Sequence, residues 1–506
     1  MITLTIGDLY DRCVEYYPDS IAITCNDQSY TYREMGYRAD CLVTALSSLG
    51  LEKGARVGFL MANCPEYVFC EYAVAKVGGI RVPLAVLLNP DDHIYMLNLV
   101  ESTTLIYHEK MAERVKAMMP ELPTVKNYIC VADDPARVME GHLHLQTLMN
   151  DNQPTDFKVD IDPEDLAGIY FTGGTTGKPK GVMLPHRAWV YTILIEMLEF
   201  DFSREEVFAY MTPLTHAGGC LMLPVLLRNG RCVIMDHFDP EEFLKTVERE
   251  KVTTTFLVPT MIYVLLDHPD LKNYNLESLT NIIYGASAIA PERLKQALTT
   301  FGPIFTQLFG QTEAPMAFSV LPREDHVIAD PNREREVFAS AGRPTFHCEV
   351  RLVADDGHDA KPGEPGEIVV RCANMMSGYY KNPEATAETI KDGWLYTGDI
   401  AKKDAQGFIY IVDRKKDMII SGGFNIYPRE IEDVLFEHPA VKDTSVIGVP
   451  HDKWGEEVKA IVVLREEGGA TEEELINFVK AKKGSLVAPK SIDFWEAIPL
   501  DRKSVV

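Results

Sequence analysis

Short apolar runs rich in β-branched residues alternate with amphipathic stretches along most of the chain. Runs at 56–61, 104–108, 168–171, 231–235, 254–258 and 281–284 predict strands, and 240–250 and 291–299 predict helices between them. Alternation of this kind predicts α/β layers built on parallel sheets. Near-continuous apolar strands such as Ile282-Ile283-Tyr284 fit sheets covered on both faces. Between 348 and 371 the pattern turns β-rich, with Gly363, Pro365 and Gly366 as turn signals.

After Asp399 the pattern changes again. Residues 407–412 and 417–420 read as two strands flanking the charged turn 413–416. A helix at 429–438, strands at 444–449 and 458–464, and an amphipathic helix at 472–482 follow. The expectation is a large α/β N-terminal domain, 1–412, of layered parallel sheets with helices and a β-rich subdomain. A hinge at 413–416 then leads to a small mobile α+β C-terminal domain, 417–506.

A chain of 506 residues exceeds one ordinary core, which stops growing near about 250–300 residues. The net charge of −25 opposes binding to nucleic acid or anionic lipid. Any phosphate ligand must therefore be held locally, by backbone amides or a metal. The most apolar stretch, 217–227, is broken by Pro224 and too short to span a membrane. The N-terminus lacks a basic region followed by an apolar block, so no signal peptide is expected. Ten scattered cysteines without a CxxC pair read as thiols in a reducing compartment, and the expected location is the cytoplasm.

The clearest chemical signal runs from Tyr170 to Gly181. A predicted strand enters Thr172-Gly173-Gly174-Thr175-Thr176-Gly177-Lys178-Pro179-Lys180, and a helix with apolar positions at 189, 190, 193, 194, 197 and 198 is expected to follow. Glycines bring backbone N–H groups close to an anion, threonines add hydroxyl donors and lysines add charge. The segment suits polyphosphate. It is not a P-loop, because Pro179 follows Lys178. Three further segments are Phe309-Gly310-Gln311-Thr312-Glu313, the stretch 393–399 ending in Asp399, and Asp413-Arg414-Lys415-Lys416-Asp417 with the 421–428 segment behind it. Taken singly, each has an ordinary explanation as a mobile loop, a capped turn or a solvated linker.

Together and in this order, the four segments resemble the adenylate-forming superfamily of acyl-CoA synthetases, luciferases and peptide-synthetase adenylation domains. Fatty-acyl- and aryl-CoA ligases stand nearest. Two departures are Gly173, where the family usually has Ser, and Phe309, where relatives often have Tyr.

The resemblance implies a role for each matching residue. The 172–180 loop, with Thr172, Lys178 and Lys180, closes over the β- and γ-phosphates of ATP. Gly285-Ala286-Ser287 line the adenine pocket and Phe309 stacks on the base. Gly310, Gln311 and Thr312 complete the nucleotide site, with Thr312 on the α-phosphate. Glu313 holds Mg²⁺, and Asp399 and Arg414 hold the ribose. His216, with Ala217, Gly218 and Gly219, lines the acyl pocket beside the reacting carboxylate. Lys416 is the hinge, and Ser421, Gly422 and Gly423 line the tunnel for coenzyme A. Thr172, Lys180, His216, Thr312, Glu313, Arg414 and Lys416 are the candidates for direct chemical roles.

The implied activity is ligation of a carboxylic acid to coenzyme A through an acyl-adenylate. Small residues after His216 and apolar ones at 222, 223 and 225 point to a hydrophobic monocarboxylate, fatty acyl first and aryl or arylalkyl second. An amino-acid-adenylating enzyme would need a carboxylate for the ammonium, and 215–224 contains none. A non-catalytic relative is the other alternative. A homodimer is the default assembly. The family's chains close with Pro-x-Thr-x-x-Gly-Lys, whose Lys reaches the carboxylate and α-phosphate. Here Val505 stands at that place after Pro499. Truncation, a frame shift or true loss is expected, with weak adenylation and intact thioester formation; Lys503 lies two positions early.

Overall fold

Strands that are apolar on both faces need cover above and below. In the computed structural model, which describes residues 3–172, 178–421, 424–451, 454–466 and 468–498, this demand organises the larger part of the chain. Thr254–Leu257 and Asn281–Tyr284 are buried at every position. They lie inside a nine-stranded sheet whose inner strands are parallel. Its two ends are antiparallel, closed by Gln28–Thr31 on one side and by Ala314–Leu321 and Arg343–Pro344 on the other. An eight-stranded sheet repeats the plan, with Ile80–Pro83, Arg56–Leu60, Thr104–His108 and Asn127–Val131 parallel at its centre. Local chemistry sets the helices between them. Helix Pro240–Glu250 begins with Asp239 accepting from the Glu242 N–H at 2.8 Å and ends at Lys251 in a left-handed conformation.

The chain divides into two compact units, Met1–Glu349 with Arg371–Leu395, and Val350–Val370 with Tyr396–Val505. Residues 413–416 lie within the second unit, at the passage from one of its sheets to the next. Arg414 ends the strand Ile409–Arg414 and stands opposite Asp399 in the ladder with Trp394–Lys403. The two strands expected to flank a charged turn, Ile409–Arg414 and Ile419–Ser421, belong to different sheets. The second of these sheets orders Phe424–Ile426, Ile419–Ser421, Gly455–Leu464 and Val441–His451, with Ser491–Phe494 beside Gly455–Leu464. Helices Pro428–Phe436 and Glu472–Lys483 bury Ile431, Leu435, Leu475 and Val479 in its core. No helix among the described residues is long and apolar enough to cross a membrane.

The helix expected after the glycine/threonine loop is present, preceded by a strand. Leu166–Thr172 and Lys180–Pro185 form an antiparallel hairpin with Thr172 opposite Lys180, and helix His186–Glu199 starts only afterwards. That helix also turns a different face inward. Leu194 and Leu198 are exposed, whereas Thr192 and Glu196 are fully buried beside Trp189 and Ile193.

Two buried imidazoles give the fold a pH dependence. His186 Nδ1 accepts from the Ile6 N–H at 3.3 Å, and burial pushes its pKa down to about 4. His326 lies 3.0 Å from the Tyr284 hydroxyl and 2.9 Å from the Pro322 carbonyl, and burial pushes it to about 4 as well. Between pH 6.5 and 4 the unfolded chain binds protons that the native one refuses. Stability is thus complete above pH 6.5 and falls as pH drops, on the order of 2–3 kcal/mol per imidazole by pH 4. Urea midpoints measured from pH 7.5 to 4.5 should fall accordingly, and less steeply in His186→Gln; a wild-type curve no steeper than the variant's would contradict this account.

Candidate active site

The predicted site segments of the larger unit gather where parallel strands end. Asn281–Tyr284 runs into Gly285-Ala286-Ser287, and its parallel neighbour Phe305–Gln311 runs into Thr312 and Glu313. The carboxyl edge of a parallel sheet is where α/β folds leave a crevice for ligands. Close backbone approach explains the glycines here. A Cβ on Gly285 would lie 2.7 Å from the Leu308 carbonyl oxygen, and one on Gly310 would lie 1.7 Å from that of Met316. Ala286 adopts a left-handed φ of +67°. The Phe309 ring meets Phe318 edge-on, with centroids 4.9 Å apart.

Thr312 and Glu313 form the two-residue tip of the hairpin between Phe305–Gln311 and Ala314–Leu321, with Gln311 paired to Ala314. Glu313 is buried, and its Oε1 accepts from the Tyr379 hydroxyl at 2.7 Å. The Lys180 Nζ sits 4.5 Å from the centre of the same tyrosine ring. Burial, then the Glu313 charge, raises the Tyr379 pKa, so the phenol stays protonated and donates. Tyr379 reaches both groups because the short strand Gly378–Tyr379 pairs with Lys180–Pro185, Tyr379 opposite Val182. The Met376 N–H donating to the Glu313 carbonyl at 2.8 Å holds the other end. Sequence reasoning missed Tyr379; its one local signal was the Ser377-Gly378-Tyr379 turn ahead of Asn382-Pro383.

The remaining loop residues divide in two. Thr172 and Lys180 close the base of the hairpin, and Lys178 places its Nζ 4.9 Å from the Tyr95 ring centre. Gly173, Gly174, Thr175, Thr176 and Gly177 lie outside the described residues. Among the described residues no three His, Cys, Asp or Glu side chains gather to hold a metal. Glu313 is a single carboxylate with Oε1 hydrogen-bonded, which suits Mg²⁺ where phosphate oxygens provide most of the shell.

His216 precedes the short helix Ala217–Cys220 and is exposed, yet protein surrounds it closely enough for desolvation to lower its pKa. The neutral imidazole is the form present at pH 7. Asn63, another residue the sequence did not reveal, fixes this loop. It donates to the Thr212 and Met235 carbonyls, 3.0 Å each, and accepts from the Leu214 N–H at 2.9 Å. Gly218 and Gly219 need a different explanation from room for an acyl chain. A Cβ on Gly219 would meet the Leu214 carbonyl oxygen at 2.1 Å, and one on Gly218 would meet Thr212 Oγ1 at 2.6 Å.

In the second unit, Asp399 is buried and its Oδ1 accepts from Arg414 Nε at 2.6 Å. Gly398 turns there at φ +74°, and its carbonyl accepts from the Lys415 N–H at 2.8 Å. Lys415 Nζ also bonds Glu367 at 2.8 Å. Lys416 lies in the turn that follows. Ser421 pairs with Phe424 and Gly455. Gly422, Gly423 and the stretch from Pro499 to Val506 lie outside the described residues.

Comparison with known proteins agrees with this geometry. The AMP-binding enzyme family matches residues 10–380, and the C-terminal domain of AMP-binding enzymes matches 430–504. A medium/long-chain-fatty-acid–CoA ligase of Mycobacterium tuberculosis is 37% identical, over 99% of this chain and 89% of its own. A feruloyl-CoA synthase of Amycolatopsis sp is 36% identical, over 95% and 93%. Among solved structures, the amide bond synthetase McbA of Marinactinospora thermotolerans superposes with a TM-score of 0.88 at 28% identity, over 98% of this chain and 97% of that one. The match takes in both the hairpin that carries Thr172 and Lys180 and the one that carries Glu313, so the chain belongs to the AMP-binding enzymes, in the branch of AMP-forming acid–thiol ligases.

Proposed function

We propose that the protein joins a hydrophobic monocarboxylic acid to coenzyme A, fatty acyl acids first. The observation that carries this reading is the Lys180–Tyr379–Glu313 constellation at the sheet edge beside Thr312. Names of relatives support it, including the fatty-acid–CoA ligase above. Aryl and arylalkyl acids are the second reading, favoured by the similarity to a feruloyl-CoA synthase and to an indoleacetate–CoA ligase of Aromatoleum aromaticum that is 32% identical. Ten free thiols favour a reducing, cytoplasmic setting.

In the first half-reaction a carboxylate oxygen attacks the α-phosphate of ATP, and pyrophosphate leaves. Little covalent work falls to the protein; positioning and charge stabilisation dominate. His216, neutral and held by the Asn63-fixed loop, orients the carboxylate. The Thr312 hydroxyl donates to an α-phosphate oxygen, and Lys180 with the 172–180 loop neutralises the departing phosphates. Glu313 would hold Mg²⁺, which screens phosphate charge when bound. Phe309 and the 285–287 segment take the base, while Asp399 and Arg414 take the ribose hydroxyls. In the second half-reaction the coenzyme A thiol attacks the acyl carbonyl and AMP leaves. The 421–423 segment lines the thiol's approach, and rotation about Lys416 separates the two states.

Two substitutions test the assignments. Glu313→Gln keeps the shape and the Tyr379 contact but removes the charge. Adenylation, read as pyrophosphate release, should fall by about 10²–10³-fold with an unchanged melting temperature. Full activity at low Mg²⁺, or failure to fold, would remove Glu313 from this role. Lys416→Pro fixes φ near about −65°. It should slow pyrophosphate release and thioester formation from supplied acyl-adenylate to unequal extents, whereas equal loss in single-turnover assays would argue against a pivot there.

A further inference from the structure

Helix His186–Glu199 buries a carboxyl group that nothing among the described residues satisfies. Glu196 is 0% exposed, and neither of its side-chain oxygens has a hydrogen-bond partner among the described residues. Buried polar groups are almost always paired, and an unpaired one calls for an explanation. Desolvation raises its pKa well above the carboxylate range, so the group is neutral and can both donate and accept. Its surroundings belong to the proposed acyl site. Trp189 and Ile193, on the same helical face, line a small cavity with Gly219, Cys220, Leu223 and the Glu71–Arg81 ion pair; Glu196 lies one turn beyond Ile193, behind that lining. Cys220, in the short helix that follows His216, lies within electrostatic reach of the Glu196 side chain.

A second unsatisfied atom lies on the same face. Asn374 is buried and donates to Thr192 Oγ1 at 3.3 Å and to the Pro315 carbonyl at 3.0 Å, while its Oδ1 has no donor among the described residues. Thr192 stands one turn before Glu196, and Pro315 is two residues past Glu313. The helical face thus connects the acyl loop with the hairpin tip that carries Glu313. Among the described residues the neutral Glu196 carboxyl and Asn374 Oδ1 have no partner, which leaves acceptor positions for a ligand that brings hydrogen.

We propose that Glu196 is a specificity-determining residue that hydrogen-bonds an O–H or N–H group at the far, non-carboxylate end of the acid. The preferred substrate is then a hydrophobic monocarboxylate bearing a neutral hydroxyl or ring N–H, and not a plain alkyl or aryl acid. A site that hydrogen-bonds a substrate hydroxyl rejects the analogue lacking it, because its own polar group is left unpaired. This inference rests on the reading of 216–220 as the acyl wall.

The test measures kcat/KM for thioester formation with ATP and coenzyme A on matched acids: ω-hydroxy against plain medium-chain fatty acids, and hydroxy- against methoxy- and unsubstituted phenylpropenoic acids. In the wild type, the donor-bearing member of at least one set should lead by tenfold or more. Glu196→Leu should abolish that lead while leaving the plain acids as good or better, and Glu196→Gln should retain part of it. Because Leu removes an unpaired buried group, its melting temperature should be equal to or above wild type. An unchanged preference in Glu196→Leu, a wild-type preference for the plain acids, or a variant that fails to fold would overturn the role while leaving the ligase reading intact. No turnover of any acid would overturn the ligase reading and this inference with it.

Discussion

A single phenol holds the chemical centre of the larger unit together. Tyr379 donates to Glu313 at 2.7 Å and offers its ring face to Lys180 at 4.5 Å. Without it, a buried carboxylate and a lysine from two separate hairpins would have no shared reference point. The hydrogen bond partly offsets the desolvation of Glu313, and the ring places the cation for on the order of 1 kcal/mol. Both contacts depend on Gly378–Tyr379 being a strand, and that depends on its pairing with Lys180–Pro185.

The same logic of shared anchors recurs at the acyl loop. Asn63 follows the strand Arg56–Leu60 of one sheet and saturates its amide on backbone groups around 212–214 and 235, at the ends of strands of the other. Two sheets that could otherwise slide are thereby fixed at the edge that carries the proposed site. Gly218 and Gly219 then allow the chain after His216 to fold back onto Thr212 and Leu214. Their smallness serves the backbone first, and the shape of the pocket follows from it.

Stability and chemistry draw on opposite uses of burial. His186 and His326 are held neutral inside the fold, His326 with both ring nitrogens engaged and His186 through Nδ1, and they act as structural groups that resist protonation. Glu196 is equally buried but has no hydrogen-bond partner among the described residues, so its burial is a cost that packing does not return.

Strand periodicity and the order of four short segments were enough, from the sequence alone, to reach the fold class and the family. Strands 104–108 and 281–284 are observed at their predicted bounds, because a run of apolar residues between turn signals has few other solutions. Glu313 and Asp399 stood out as candidates for a related reason: each sits in a short motif whose neighbours are local. Tertiary structure decided what distance along the chain conceals. Tyr379 lies 66 residues from Glu313, and no local pattern ties the two. Helix His186–Glu199 shows the same limit. Its apolar spacing set Leu194 and Leu198 beside Trp189 and Ile193 as equals, yet the strands and helices around it accept the face of Thr192 and Glu196. A helix with apolar residues on most sides carries no statement of which side faces inward; only its neighbours supply one.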